Sequence, residues 1–282
     1  MPAAGSGAPS AGGGAPAGAL EALIELRAVA PGDENHVCVV VELANSAPVW
    51  VSELHATLTD GSHHLIVDRR AAGSALQTQA IPCSPTMGGD DTRLMIAQQH
   101  DSRIALPRGV AYRLEPHQRI FLQLHYINLK AAPADIRGTL ELRLAEPSAG
   151  TPKEAQSIFS GSLDIAIDPH AAGTAQYFVR PAGASAGRPQ HVFALTSHTH
   201  SLGVRATIER VASIDAAPTT PIHLSENWAE PPLTLFSPAL DFTGSDGLRL
   251  ICHYMNNTDR SVHFGTEFND EMCFMWMYFY LD

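Results

Sequence analysis

The chain has 282 residues and a formal net charge of −11, with only 18 Lys and Arg residues. This charge balance argues against a partner with a phosphate backbone, so nucleic-acid binding is not expected. No apolar run reaches the ~18–20 residues that a membrane-spanning helix needs, so no transmembrane segment is predicted.

The chain begins with MPAAGSGAPSAGGGAPAGA, a stretch without charge and, after Met1, without large apolar side chains. Such a composition can neither form a core nor act as a secretory signal, so residues 1–19 are predicted to be a disordered tail or linker. A linker that starts abruptly is expected where a signal or lipid anchor has been removed. A translational start followed by a disordered tail is the alternative.

From residue 36 onward, short runs rich in Val, Ile, Leu, Phe and Tyr alternate with Gly, Pro, Asn and Asp, which predicts an all-β chain. These runs are HVCVVVEL, VWVSELHATL, QRIFLQLHY, GTLELRL, GSLDIAI, HVFALTS, VRATIERV, GLRLICHY and CFMWMYFYL. The proline-bearing segment AEPSAGTPKEAQ at 145–156 is the best domain boundary. It predicts an N-terminal domain over 20–150 and a C-terminal domain over 151–282, each a β-sandwich.

The four cysteines fall two in each half of the chain: Cys38, Cys83, Cys252 and Cys273. An even split is what one disulfide per domain would give, whereas in a reducing cytosol the same residues would be buried thiols. No CxxC spacing is present, so a zinc ribbon or thioredoxin-type chemistry has no support.

Fourteen histidines are present, and two of them lie in FALTSHTHSLG at 193–203. If this segment is a strand, His198 and His200 share one face, where paired imidazoles can hold a transition metal. An isolated HxH is more often one surface and one core residue. Corroboration must therefore come from elsewhere in the chain.

In the first half, DGSHHLIVDR contains His63 and His64, and LQLHYINL contains His125. Adjacent residues on a flat strand face opposite ways, so His63 and His64 can share a metal only at a strand end or irregularity. Three imidazoles without a carboxylate suit copper or zinc. The common alternatives are a surface doublet and a core histidine.

In the second half, FNDEMCFMW supplies Met272 as a third candidate ligand. A thioether is a soft ligand that favours Cu(I), so a set of two histidines and a methionine indicates redox copper rather than zinc. The alternative is that Met272 only packs, as methionine in an apolar run usually does.

Together these motifs resemble the copper type II ascorbate-dependent monooxygenases, the family of peptidylglycine alpha-hydroxylating monooxygenase and dopamine beta-monooxygenase. The motifs stand in the family's order: GSHHLIV, LPRGVAYRL, FLQLHYINL, HVFALTSHTHSLG, RLICHYMNN and VHFGTEFNDEMCFMWMYFY. The similarity runs from about residue 20 to the C-terminus. The signatures HTHxxG and DEMC are specific in combination.

The resemblance implies two jelly-roll-like domains, each carrying one copper on the face of a solvent-filled interdomain cleft. His63, His64 and His125 would hold the electron-transfer copper. A second set would hold the copper at which dioxygen is activated: His198, His200 and Met272. In the family, ascorbate reduces both coppers, dioxygen is the co-substrate and a substrate C–H bond is hydroxylated.

Further roles follow from the same resemblance. Gln123 would position water or substrate near the electron-transfer copper. Cys38–Cys83 and Cys252–Cys273 would be disulfides, which require an oxidising compartment, so a periplasmic, secreted or lipid-anchored location is expected. His36 lies just before the strand that contains Cys38, and the sequence assigns it no role. His191 and His263 resemble family positions that are not ligands.

The chain departs from the peptide-amidating members of the family at their substrate-binding positions. Those enzymes have an arginine two residues before HTH, and a tyrosine and an asparagine after DEMC. Here Thr196, Phe274 and Trp276 stand at those positions, so a glycine-extended peptide is a poor substrate and a less polar or aromatic one is expected. The small number of cysteines and the short loops resemble a bacterial member.

The sequence therefore predicts a copper- and ascorbate-dependent monooxygenase with two coppers per chain and an unidentified substrate, either a small molecule or a modified peptide. A non-catalytic copper-binding protein for storage, delivery or sensing outside the cytoplasm is the alternative. A β-sandwich with structural zinc is a third possibility, which Met272 disfavours. The oligomeric state is left open.

Overall fold

The computed structural model describes residues 18–71, 73–83, 91–146, 150–181, 188–242 and 246–282. These residues form strands and no helix. The strands of the first half are β1 (Ala19–Val29), β2 (Glu34–Glu42), β3 (Val49–Leu58), β4 (Ser62–Arg69), β5 (Gln77–Pro82), β6 (Thr92–Ala97), β7 (Asp101–Ala105), β8 (Val110–Leu114), β9 (Arg119–Ile127) and β10 (Ala134–Leu144).

Ten further strands follow in the second half, and the predicted all-β fold class is confirmed. They are β11 (Lys153–Ser162), β12 (Ala166–Ile167), β13 (Ala172–Val179), β14 (Gln190–His198), β15 (Gly203–Val211), β16 (His223–Ser225), β17 (Thr234–Phe242), β18 (Gly247–Met255), β19 (Val262–His263) and β20 (Cys273–Leu281). No helix in the described part of the chain is long and apolar enough to cross a membrane.

The predicted runs match the observed strands closely in two places and fail in one. The runs VWVSELHATL and CFMWMYFYL coincide with β3 and β20. The run GSLDIAI is divided, because β11 ends at Ser162 and β12 takes up only Ala166–Ile167. The predicted tail lies outside the described residues up to residue 17, and its last residue already belongs to β1.

Each half forms a sandwich, and one sheet runs through both. In the first half the sheet β5-β2-β9-β4-β6 shares a core with the strands β1-β10-β3-β8. In the second half β13-β18-β15-β16 shares a core with β11-β20-β14-β17. These two four-strand partners join into a single sheet because β8 and β11 pair in parallel, with Lys153 opposite Val110, and β7 adds a ninth strand beside β3.

The first-half core also extends into the second half. Phe193, Trp276 and Tyr278 are buried in the same cluster as the first-half aliphatic side chains. The backbone N–H of Ile96 donates to the Tyr278 hydroxyl at 3.1 Å. The two halves are therefore packed together through apolar side chains as well as through the shared sheet.

Strand alternation explains where polar side chains enter this interface. On β9, Leu122 and Leu124 face the first-half core and are fully buried. Gln123 and His125 point to the opposite face, as alternate residues of a strand must, yet they are also buried. The second half covers this outer face of the sheet, and the histidines lie there.

Both predicted disulfides are present. Cys38 is bonded to Cys83 on the outer face of the first-half sheet. Cys252 is bonded to Cys273, which ties β18 to the start of the last strand. Disulfides persist in oxidising compartments, so this bonding is consistent with a location outside the cytoplasm.

Candidate metal centre

The histidine doublet lies at a strand irregularity. His64 on β4 is opposite His125 on β9, and the register shifts between Ser62 and His64, which places His63 in a bulge. A bulge re-aims side chains that a flat strand would send to opposite faces. The rings of His63 and His64 are consequently both 5.2 Å from the ring of His125, centroid to centroid.

A fourth histidine joins this set. His36 on β2 is the register partner of His125, and the two rings stack at 3.9 Å with an interplanar angle of 15°. The nitrogens of His36, His64 and His125 lie within 4.8 Å of one another, and so do those of His63, His64 and His198. Sequence reasoning left His36 unassigned because only the β2–β9 pairing brings it beside His125.

The HTH motif spans a strand end rather than a continuous strand. His198 is the last residue of β14, whereas His200 lies in the following turn. The rings are nevertheless neighbours, with centroids 5.2 Å apart and planes at 89°. The expectation that both histidines stand on one strand face is therefore wrong, because the turn, and not strand alternation, brings His200 beside His198.

A buried carboxylate and a glycine shape this turn. The side chain of Glu271 is inaccessible to solvent and accepts the backbone N–H groups of His200 at 2.9 Å and Leu202 at 2.6 Å. A Cβ atom at Gly203 would lie 2.4 Å from the hydroxyl oxygen of Thr199, so only glycine fits. Burial raises the pKa of Glu271 to about 7, and the backbone N–H donors oppose that shift.

Met272 completes the second predicted set. It follows Glu271 directly, its carbonyl accepts a hydrogen bond from the Tyr254 hydroxyl at 2.7 Å, and its side chain is buried. Met272, His198 and His200 line one cavity of about 240 Å³. The rest of its wall is mostly apolar: His36, His64, Ile66, Arg93, Ile96, Phe159, Phe264, Thr266 and Phe274.

Hydrogen bonds fix which ring nitrogen each HTH histidine presents. His200 Nδ1 lies 3.1 Å from the carbonyl oxygen of Asp270, which can only accept, so Nδ1 carries the proton. His198 Nδ1 donates to Gln98 Oε1 at 2.5 Å. The Gln98 amide nitrogen in turn donates to the Ser197 carbonyl at 3.0 Å, which sets the amide orientation. Both histidines therefore keep the Nε2 lone pair for a ligand.

The first-half histidines show the complementary sign of a metal site. His125 Nε2 donates to Glu34 Oε1 at 3.0 Å, which leaves Nδ1 as the free lone pair. That nitrogen, His63 Nε2 and His64 Nδ1 are buried and have no hydrogen-bond partner among the described residues. Buried polar atoms are normally satisfied, so three such nitrogens on rings whose centroids are 5.0–5.2 Å apart are consistent with a metal that prefers imidazole.

The electrostatics keep these rings neutral. Burial lowers the pKa of His63 to about 3 and that of His36 to about 4, and the neighbouring His200 adds to both shifts. Burial also holds the pKa values of His64 and His198 well below the ordinary value. A neutral imidazole is the form that binds a metal, so the set is ready for one at neutral pH.

The first-half and second-half ligands are in contact. The His198 ring lies 5.1 Å from that of His64 and 5.5 Å from that of His63. The expected interdomain cleft is therefore closed at the histidines and remains as two pockets. One is the apolar cavity, and the other is an open pocket of about 370 Å³ that reaches His63 beside Trp228.

Gln123 lies on the same outer face of β9 as His125, as the sequence predicts. Its amide nitrogen is 3.8 Å from the sulfur of Cys38 and 3.7 Å from that of Cys83. The role of positioning water or substrate near the electron-transfer copper stays a prediction.

Only one of the three predicted substrate-pocket residues lines the apolar cavity. Phe274 lines the apolar cavity and stacks on Phe159 with centroids 4.7 Å apart. Trp276 lies behind that wall, buried against Phe159 at 5.0 Å. The Thr196 hydroxyl accepts a hydrogen bond from Gln98 at 3.2 Å and lies outside the cavity wall. Strand pairing places all three on one face, but their side chains reach different layers.

The histidines expected not to be ligands lie away from the cluster. His191 pairs with Asp282 at 3.0 Å and stacks on Tyr280. His263 belongs to the short strand β19 and is exposed. His223 is buried, and its Nε2 is 3.0 Å from the Ser197 hydroxyl. Burial lowers its pKa to about 4.

The fold and the cluster define an all-β protein with a buried centre of imidazole and thioether ligands. A comparison with known protein families agrees with a copper centre. Residues 183–282 match the family described as "Copper type II ascorbate-dependent monooxygenase, C-terminal domain". The predicted family resemblance is confirmed over these residues, which are similar to that C-terminal domain. The comparison with curated proteins found no match.

Solved structures resemble the chain only weakly. PBCV-1 VP54, fitted into a reconstruction of the virophage Sputnik, has 9% identity and a TM-score of 0.29, with 92% of this chain and 93% of that chain covered. The tandem CBM22 domain of Xyn10C from Paenibacillus barcinonensis has 9% identity and a TM-score of 0.19, with coverage of 90% and 100%. Neither likeness bears on function.

Proposed function

We propose that the protein is a copper- and ascorbate-dependent monooxygenase that hydroxylates a C–H bond of an apolar or aromatic substrate other than a glycine-extended peptide. The observation that supports this most is the single cavity shared by His198, His200 and Met272. Two imidazoles with free Nε2 lone pairs and a thioether form a set suited to Cu(I). Copper bound there would supply one-electron reduction of dioxygen.

The protein side chains would prepare the site in three ways. Gln98 and the Asp270 carbonyl hold the two rings in the tautomer that leaves Nε2 free. Glu271 holds the turn between them. The apolar wall, with Phe264 and Phe274, excludes water and presents a surface on which an aliphatic or benzylic group can pack.

The first-half histidines would hold the second copper. Their set contains imidazole nitrogens without a thioether, and a pocket that reaches one of them, His63, opens toward solvent beside Trp228. We assign electron entry to this side, and the two domains, divided near residue 150, each contribute one ligand set. His36 and His63 compete for the third position, because each lies within ligand distance of His64.

The location would be extracytoplasmic, whether periplasmic, secreted or lipid-anchored. Two disulfides support this proposal because thiols stay reduced in most cytosols. Dioxygen and ascorbate, or another one-electron reductant, would be the co-substrates.

Copper stoichiometry with X-ray absorption of the ascorbate-reduced protein tests the proposal first. We expect two coppers per chain and one sulfur scatterer, together with ascorbate-dependent oxygen consumption that increases with substrate. Two coppers with no oxygen consumption for any C–H substrate would support the alternative copper-binding role. Protein from copper-supplied cells that contains only zinc would contradict both.

A further inference from the structure

Arg93 is the one cation on the wall of the apolar cavity, and no hydrogen bond to its guanidinium is present among the described residues. It lies on β6, in the first half of the chain. Its guanidinium carbon is 5.0 Å from the ring centroids of both Phe159 and Trp276. One guanidinium nitrogen, Nη1, is buried without a hydrogen-bond partner.

A second donor in the same place is also unsatisfied. The indole nitrogen of Trp276 is buried and has no acceptor among the described residues. The guanidinium of Arg93 lies over the Trp276 ring, so two side chains that can only donate hydrogen bonds are in contact. Unsatisfied buried donors are rare, and of these two side chains Arg93 lines the cavity, so it is the donor that the acceptor group of a ligand can approach.

The protein's own carboxylate does not fill this need. Asp68 lies opposite Arg93 in the β4–β6 pairing and attracts it electrostatically, but no hydrogen bond of the described residues joins the two side chains. Burial raises the pKa of Asp68 to about 6, and the nearby Arg93 opposes that shift. The guanidinium of Arg93 is held by aromatic rings, and the part of it that lines the cavity is available to a charged acceptor.

The remaining wall defines the body of the ligand. Ile66, Ile96 and Phe264 leave room for about 240 Å³, whereas a cavity of about 150 Å³ is enough to hold benzene. One aromatic ring with a short chain therefore fits.

We propose that Arg93 anchors the carboxylate of a small aryl-alkyl acid whose chain carbon is directed toward Met272, His198 and His200. This inference rests on the proposed function and names its substrate class. The cation comes from the first half of the chain, while the position two residues before HTH holds the neutral Thr196. A substrate carboxylate bound to Arg93 would thereby connect the first half of the chain with the candidate ligands of the second half.

Calorimetric titration of the copper-loaded, ascorbate-reduced protein under nitrogen tests the inference without turnover. The probes are 4-phenylbutyrate and its neutral amide. We expect the acid to bind about 10- to 100-fold more tightly than the amide, since a hydrogen-bonded charge pair has that range of effect. Arg93→Met should remove the preference, and Arg93→Lys should restore part of it.

Three controls separate an effect of Arg93 on acid binding from other causes. Arg108→Met, which changes an exposed arginine outside the cavity, should leave the preference unchanged. Arg93→Met/Asp68→Asn retains folding if the single variant leaves Asp68 unbalanced, and it should show no preference either. The metal-free protein should keep the preference, which separates binding to Arg93 from binding of carboxylate to copper.

Equal binding of acid and amide, no binding of either, or a preference that survives Arg93→Met would overturn the inference. Copper content and ascorbate-dependent oxygen consumption are measured on the same preparations. Loaded, oxygen-consuming protein with no acid preference would reject the role of Arg93 while the monooxygenase proposal stands. Protein that takes up no copper but prefers the acid through Arg93 would reject the monooxygenase proposal while the role of Arg93 stands.

Discussion

The two ligand sets differ in how the protein holds them. The first-half set consists of four histidines on neighbouring strands, and three of its nitrogens have no partner. The second-half set is held by a turn, with each imidazole fixed through Nδ1 by Gln98 or Asp270. The first set offers several nitrogens of one kind, whereas the second offers a defined geometry with one soft ligand.

The surroundings differ in the same sense. The second set faces an apolar cavity, whose wall also includes His36 and His64 of the first set. In the first set His63 is in addition reached through an open pocket with polar and charged residues such as Asp60 and Lys130. A site that exchanges only electrons needs no enclosed space, but a site that directs oxygen to a C–H bond must exclude water. The contrast supports assigning different tasks to the two sets.

Removing the soft ligand should break the contrast most completely. Met272→Ile is close to volume-conserving, so the free energy of unfolding should fall by less than about 1.5 kcal/mol. Substrate-stimulated oxygen consumption should fall at least about 100-fold, because the change strips a direct ligand. X-ray absorption should show no sulfur scatterer. Met277→Ile changes a buried core methionine on β20, the strand that begins directly after Met272, and should leave both readouts intact. Full activity in Met272→Ile would reject the assignment.

Deleting one histidine of the first set tests whether the two sets bind copper independently. His125→Ala should halve the copper content and leave the sulfur scatterer of the second set in place. The reason is that His125 belongs to the first set, although its ring is 6.4 Å from that of His200. His253→Ala, on a strand away from the cluster, serves as the control. Loss of all copper would mean that the touching rings form one interdependent centre.

The second set depends on a residue from the other half of the chain. Gln98→Leu removes the acceptor of His198 Nδ1–H, so copper affinity of the second set should fall about 10- to 100-fold. Competition with a chelator measures this for each copper separately. The neighbouring Gln99→Leu should have no such effect, since no hydrogen bond among the described residues joins Gln99 to His198. A uniform loss in both variants would indicate general disturbance of the interface.

The smallest effect concerns protonation of the metal-free protein. His36 has a folded-state pKa of about 4 against an ordinary value of 6.5, so the unfolded state binds the extra proton between these pH values. The free energy of unfolding should therefore fall as the pH decreases from 6.5 to 4, by about 1 kcal/mol per pH unit for this histidine. Denaturant titrations at several pH values should show that the free energy of unfolding falls more steeply with decreasing pH in wild type than in His36→Gln, by that amount per pH unit. Parallel slopes would show that His36 is protonated in the folded protein.

Much of the fold and of the ligand chemistry was predictable. Runs such as VWVSELHATL predicted strands because alternating side chains leave a period of two in the sequence. The motifs HTHxxG and DEMC predicted the second set because local turns require Gly203 and carry the ligands within a few residues. The disulfide pairs followed from the family resemblance.

Other features depend on residues that are far apart in the sequence. His36 joins His125 through the β2–β9 pairing, Gln98 orients His198 across the interface, and Arg93 reaches the cavity from β6. The contact of Gln123 with the disulfide is of the same kind, since it depends on the β2–β9 register.

The sequence by itself therefore determined an all-β chain and the imidazole and thioether ligand types, because side-chain chemistry and strand period are local properties. The tertiary structure alone decided which nitrogens are free, that the two ligand sets touch, and that a first-half arginine lines the cavity of the second set. Those features arise from strand pairing and from packing of the two halves. Both depend on contacts between residues far apart in the sequence, such as Gln98 and His198, which are 100 positions apart, and no local pattern records them.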